Sequence, residues 1–253
     1  MAVSKSVIAE LMGSFLLVWL SIWLESAFNL GQLTRQSVGV AFGFATAALL
    51  FSGSTFNSSM HLNPAVTLSR VLLRDFPKAK AAGFIAAQLC GSAAAGLLAA
   101  VMVPQELQEA AESLAPAPGP NPLLSQIQVF LLEAFFGGLY VWSSFAMSAD
   151  RRGLRPLTPI AAAATLSVAA GVAGPFSGGV VNPLRLIGPL AVDGKLCEAV
   201  PFVLASLFGG IFAAFYFDCC LMVQDLLPAE LDCEKENSMR NAANVNLAAT
   251  LKF

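Results

Sequence analysis

Six long apolar blocks constrain this chain more than any other feature, at approximately 7–28, 36–53, 80–103, 124–148, 157–175 and 198–223. A helix that spans a bilayer needs roughly 20 mostly apolar residues, and all six blocks qualify, although the fifth is short. Each block must be helical, because unpaired backbone groups cannot face hydrocarbon. Composition points the same way. Only 12% of the 253 residues are charged and 57% are hydrophobic, whereas soluble domains carry about 25% charged residues. The apolar residues arrive in runs rather than with amphipathic spacing, so lipid is the solvent and the fold class is an all-α membrane protein. The first block is too long for the apolar region of a cleavable signal peptide, contains Glu10 and lacks a small-residue cleavage site. It is read as a span.

Basic residues set the expected orientation. Arg70, Arg74, Lys78 and Lys80 lie between blocks two and three, and Arg151, Arg152 and Arg155 between four and five. The 104–123 connection has no Lys or Arg, only Glu106, Glu109 and Glu112. The positive-inside rule then makes the first two connections cytoplasmic, with both termini on that side. The sequon Asn57-Ser58-Ser59 would face away from the glycosylation machinery. No basic tract suggests nucleic acid, and the five cysteines (Cys90, Cys197, Cys219, Cys220, Cys233) show no metal-ligand spacing. No catalytic constellation, metal site or cofactor site is visible, so an enzyme is not expected.

The chain repeats itself. Asn63-Pro64-Ala65 is answered by Asn182-Pro183-Leu184, and Glu10 in the first block by Glu133 in the fourth. Gly91 and Gly210 each follow their Asn by 28 residues. With three spans per half, the two halves insert with opposite orientation, and such inverted repeats hold their functional residues near the midplane on helices that enter without crossing. One channel-sized domain over 1–227 is expected: repeat one at about 1–115, a Pro-rich linker at 116–122, repeat two at about 123–227. Residues 228–253 are expected to be an acidic cytoplasmic tail.

Each Asn-Pro pair can start a short helix, since Asn is a strong N-cap and Pro at the first helical position loses no bond. Residues 64–73 and 183–190 are the expected half-helices. In a soluble protein one such pair would be an ordinary cap; two at matching positions of an inverted repeat are not. His61-Leu62-Asn63-Pro64-Ala65-Val66-Thr67 and Asn182-Pro183-Leu184-Arg185 resemble the two signature loops of the aquaporins, the major intrinsic protein family. Ala9-Glu10 with Gly13, Ala87-Gln88 with Gly91, Glu133-Ala134-Phe135 and Asp150-Arg151-Arg152 extend the resemblance over nearly the whole chain, leaving out the tail from about residue 228. It implies six tilted helices plus two re-entrant half-helices in an inverted 3+3 repeat, assembled as a homotetramer with one pore per subunit.

The resemblance also implies a filter formed by Phe42, Ala170, Gly179 and Arg185. In such pores the half-helix dipole ends and the two Asn amides oppose protons and cations, and the Arg presents fixed donors. Intramembrane carboxylates call for a functional reading by default. Glu10 and Glu133 could relay protons, but their symmetry favours a supporting role, accepting bonds from the N–H groups of the re-entrant loops. Phe42 could instead be core. His61, the single histidine, is read as structural rather than as a pH gate.

Several departures stand out. Water-selective members usually carry His where this chain has Ala170. Glycerol-conducting members usually have two aromatics at the positions of Phe42 and Gly179, and an Asp where Leu186 stands. Leu184 replaces the usual Ala, and would displace the half-helices, project toward the pore or repack among small neighbours. The first loop, 54–60, is one residue longer than usual. The expected function is a passive channel for water and small uncharged solutes such as glycerol, urea, ammonia or hydrogen peroxide. The alternative is a structural or junctional membrane protein of the same fold with little permeability.

Overall fold

A computed structural model of the chain describes residues 4–53, 60–110, 115–116, 124–149 and 155–219. The sequon and lengthened first loop, most of the linker, Asp150-Arg151-Arg152 and the tail from 228 lie outside the described residues. Those described are helical, with no strand among them: α1 Lys5–Asn29, α2 Arg35–Ser52, α3 Pro64–Leu72, α4 Lys78–Met102, α5 Gln105–Ala110, α6 Gln126–Ala149, α7 Thr158–Ser177, α8 Leu184–Val192 and α9 Val200–Phe217. Residues through Ala214 belong to one compact unit and Phe215 onward to a second.

Five helical stretches are long and apolar enough to cross a membrane: Lys5–Asn29, Lys78–Met102, Gln126–Ser148, Thr158–Ser177 and Leu196–Phe217. The second apolar block gives α2, which is not among them. It has 18 residues and opens on Arg35-Gln36, which dilute its apolar run. At 1.5 Å per residue it is about 27 Å long, close to the roughly 30 Å of a hydrocarbon core. Outward-facing side chains on these helices are large and apolar, such as Phe44, Leu97, Val101, Phe208 and Phe212, as a lipid-facing surface requires.

Helices in lipid associate by close backbone approach, since burial there gains nothing over hydrocarbon. The crossings here are made by small residues. A Cβ on Gly91 of α4 would lie 2.5 Å from the Leu11 carbonyl oxygen of α1, and one on Gly209 of α9 would overlap the Ala134 carbonyl of α6. Leu11 and Ala134 each follow one of the repeated carboxylates, so the structure pairs Gly91 with Gly209. Equal spacing along the chain instead matches Gly91 to Gly210, one residue beyond the glycine that makes the crossing.

The residues after those glycines hold the half-helices. Ser92 Oγ donates to the Leu184 carbonyl (2.6 Å) and accepts from the Gly188 N–H (2.9 Å), bringing α8 against α4. In the other repeat Gly210 faces Ala65 and Ser69 of α3. Serine on the span meets glycine on the half-helix in one repeat, and the reverse holds in the other.

Candidate functional site

The two loops that lead into α3 and α8 are built alike. Asn63 caps α3, its Oδ1 accepting from the Ala65 N–H at 2.8 Å, and Asn182 Oδ1 accepts from the Leu184 N–H at 3.1 Å. The residue before each Asn has a left-handed backbone, φ +53° at Leu62 and +56° at Val181. Neither is a glycine, and such a conformation costs about 1–3 kcal/mol unless its surroundings enforce it. A carboxylate enforces it each time. Glu10 accepts from the N–H groups of His61 (2.5 Å) and Leu62 (3.0 Å), and Glu133 from those of Val180 (3.0 Å) and Val181 (2.9 Å). Gln88 steadies Glu10 at 2.7 Å, and Ser177 steadies Glu133 at 2.6 Å.

The loops meet. Asn182 Nδ2 donates to the Leu62 carbonyl at 2.7 Å, stitching the second motif to the first loop across 120 residues. The Asn63 amide is different: fully buried, its Nδ2 has no hydrogen-bond partner among the described residues. Both N–H donors of this amide are thus uncommitted at the junction of the half-helices, in a setting where a buried unsatisfied amide costs about 1–3 kcal/mol. Pro64 and Ala65 lie within α3, and Pro183 precedes α8, which begins at Leu184.

Leu184 points away from that junction. Its side chain is buried with Val18 and Ile22 of α1 and Ala95, Ala99 and Val103 at the end of α4. The alanines make room for it, so of the three fates open to this side chain the structure takes repacking. His61 is enclosed by the rings of Phe76 (4.7 Å) and Phe84 (5.1 Å), and its Nδ1 lies 3.1 Å from Thr67 Oγ1.

Phe42, Ala170, Gly179 and Arg185 are brought together. The Arg185 guanidinium lies over the Phe42 ring at 4.3 Å, and its Nη1 donates to the Gly179 carbonyl at 2.7 Å. Gly179 has φ +58°, and a Cβ there would come within 2.8 Å of the Ala170 Cα. Both the conformation and the close approach require glycine.

Sequence reasoning misses what holds Arg185. Its Nε donates to Ser21 Oγ (2.8 Å), Nη1 also reaches the Val180 carbonyl (3.3 Å), and Nη2 pairs with Glu25 at 3.0 Å. Four of its five N–H groups therefore have protein acceptors. Glu25, on α1, is shared: its other oxygen pairs with Arg35 at 2.5 Å. Glu25 stands inside the first apolar block, where an intramembrane carboxylate is itself a signal, but it has no counterpart in the second repeat. Among the described residues no group of three His, Cys, Asp or Glu could hold a metal ion.

Residues 1–217 match the sequence profile of the family described as Major intrinsic protein. The chain is 25% identical over 217 residues to "Aquaporin NIP1-1" of Oryza sativa subsp. japonica, covering 85% of this chain and 73% of the relative. It is 28% identical over 229 residues to "Aquaporin TIP4-4" of Zea mays, covering 87% and 88%. The crystal structure of the aquaglyceroporin from Plasmodium falciparum shares the fold, with a TM-score of 0.69 at 19% identity over 87% of this chain and 98% of that one.

Proposed function

This chain belongs to the major intrinsic protein family, whose members are channels for water and small solutes and not enzymes, and we propose that it passes water together with small uncharged solutes of the glycerol, urea, ammonia or hydrogen peroxide class while excluding protons and ions. The observation that carries this reading is the uncommitted Nδ2 of Asn63 where the two half-helices meet. A water or solute oxygen arriving there finds the free N–H donors of the Asn63 amide and two positive dipole ends, which oppose a proton or a cation. Asn63, Pro64 and Ala65 with Asn182, Pro183 and the backbone of Leu184 form this junction. Glu10 and Glu133 are its scaffolds, their acceptor sites being taken up by loop N–H groups.

Phe42, Ala170, Gly179 and Arg185 form the constriction in this reading. Ala170 and Gly179 add almost no side-chain bulk, which supports passage of solutes larger than water. Stopped-flow swelling of vesicles holding the purified protein, with water and glycerol compared, tests the reading. Ala170→His should cut glycerol flux by roughly tenfold or more while water flux falls less, since overpacking costs about 1–3 kcal/mol and 1.4 kcal/mol is a factor of ten. An equal loss of both fluxes would refute the assignment of the constriction. The resemblance further implies a homotetramer with one pore per subunit, cytoplasmic termini, and a channel domain over 1–227 followed by a tail at 228–253. Chemical cross-linking and tag accessibility test these.

One observation favours a structural or junctional role. Asn63 and Phe42 are 0% exposed and Arg185 1%, against 3% at Asn182 and 4% at Ala170, so both stations are narrow in this conformation. Vesicles that swell no faster than empty ones, with oligomers intact, would select this second reading.

A further inference from the structure

Three charged side chains meet at one end of the bundle. Glu25 is 2% exposed and bridges two guanidinium groups, Arg185 at 3.0 Å and Arg35 at 2.5 Å. Exposure rises outward along this chain of contacts, from 1% at the Arg185 side chain to 10% at Arg35. Arg35 begins α2, its stem rests against Gly174 of α7, and its guanidinium lies 3.7 Å from the centre of the Phe28 ring of α1. It therefore crosses three helices just outside Arg185. Two cations and one anion leave a net charge of +1, and the carboxylate sits between them. A buried ion pair keeps its charges only when geometry and further hydrogen bonds are favourable. Here Ser21 and two backbone carbonyls complete the shell of Arg185.

We propose that Glu25 and Arg35 are specificity-determining residues of the pore, Glu25 cancelling the charge of Arg185 at the constriction and Arg35 carrying the surplus positive charge outward to the mouth. Cation exclusion at this end then belongs to the three-residue cluster and not to Arg185 alone. The inference rests on the reading of Phe42, Ala170, Gly179 and Arg185 as the constriction.

The charge count makes the test. Arg35→Gln takes the cluster from +1 to 0 and leaves the Glu25–Arg185 pair intact, so it strands no buried charge. Glu25→Gln together with Arg35→Gln returns the count to +1, now on Arg185. Potassium flux and water flux are measured on proteoliposomes for both variants, for Arg35→Lys and for the unaltered protein. Arg35→Gln should raise potassium flux by roughly five- to tenfold, the effect of removing one charge several ångströms from the path with partial screening. Water flux should stay near its original value. Arg35→Lys and the double variant should both restore exclusion. Unchanged potassium exclusion in Arg35→Gln overturns the inference. So does a double variant that leaks as much as Arg35→Gln, which would mark Arg35 as a packing residue only. Ala170→His tests the constriction separately: a normal response to it beside a tight Arg35→Gln channel sinks this inference and leaves the constriction standing.

Discussion

Glu133→Gln removes one oxygen and one charge while keeping the shape of the side chain, and its cost can be worked out atom by atom. Glu133 accepts three hydrogen bonds: Ser177 Oγ and the Val180 N–H on one oxygen, the Val181 N–H on the other. In either orientation of the new amide, one backbone N–H must face an NH₂ group. That loses one charge-assisted bond, about 1.5–3 kcal/mol, and strands a buried donor for about 1–3 kcal/mol more. The sum is roughly 2.5–6 kcal/mol, against a total stability of about 5–15 kcal/mol for a typical domain. It falls on the loop where Val181 is held left-handed. Thermal unfolding of the purified protein in detergent should shift down by about 10 °C, at the 2–4 °C per kcal/mol usual for chains of this size. Water flux per folded channel should fall as well, because the Asn182 motif follows that loop. A proton-relay role predicts the opposite: unchanged melting and unchanged water flux. Melting within about 2 °C of the original protein would refute the scaffold argument.

Leu184→Ala should destabilise by about 2–3 kcal/mol. This is the lower part of the usual range for a buried leucine, since the reference state in lipid is already apolar; melting in detergent reads it. Water flux should persist, because the side chain lies among α1 and α4 and not at the junction; loss of flux with intact folding would show that Leu184 lines the path. Gly209→Val should abolish assembly of the folded protein in gel filtration, since even a Cβ overlaps the Ala134 carbonyl.

Features that recur along the chain are legible in the amino-acid sequence alone. The half-helices, the carboxylates and the paired loops each rest on residues repeated at corresponding places in the two halves, and repetition separates them from chance. The same logic fails where the repeat is broken. Glu25 has no partner in the second half, and near the end of a span a carboxylate looks like one that reaches for the interface. Its meaning depends on Arg185, 160 residues away. The fate of Leu184 is equally hidden, because it is decided by whether Ala95 and Ala99, on another helix, leave a space. The second helix is less apolar than the other spans for a simpler reason: Arg35 and Gln36 open it, and Arg35 is spent on Glu25 rather than on solvent.

The pattern of kept and broken symmetry separates what builds this protein from what distinguishes it. The carboxylate clamps, the left-handed residues before each Asn and the Asn caps are duplicated, so they answer a requirement common to both loops: every N–H of a re-entrant segment must be satisfied away from water. Among the described residues, three features are not duplicated. Asn182 spends a donor on Leu62 while Asn63 keeps its own free; Leu184 stands where Ala65 does; and the Glu25–Arg35–Arg185 cluster exists at one end only. A passive pore needs no directional element, so asymmetry is not demanded by transport itself. It has to be accounted for by what each end must select. On the proposed reading, an end whose arginine is paired with Glu25, beside walls of Ala170 and Gly179, would discriminate by shape and by the surplus charge on Arg35 more than by donors offered to the solute.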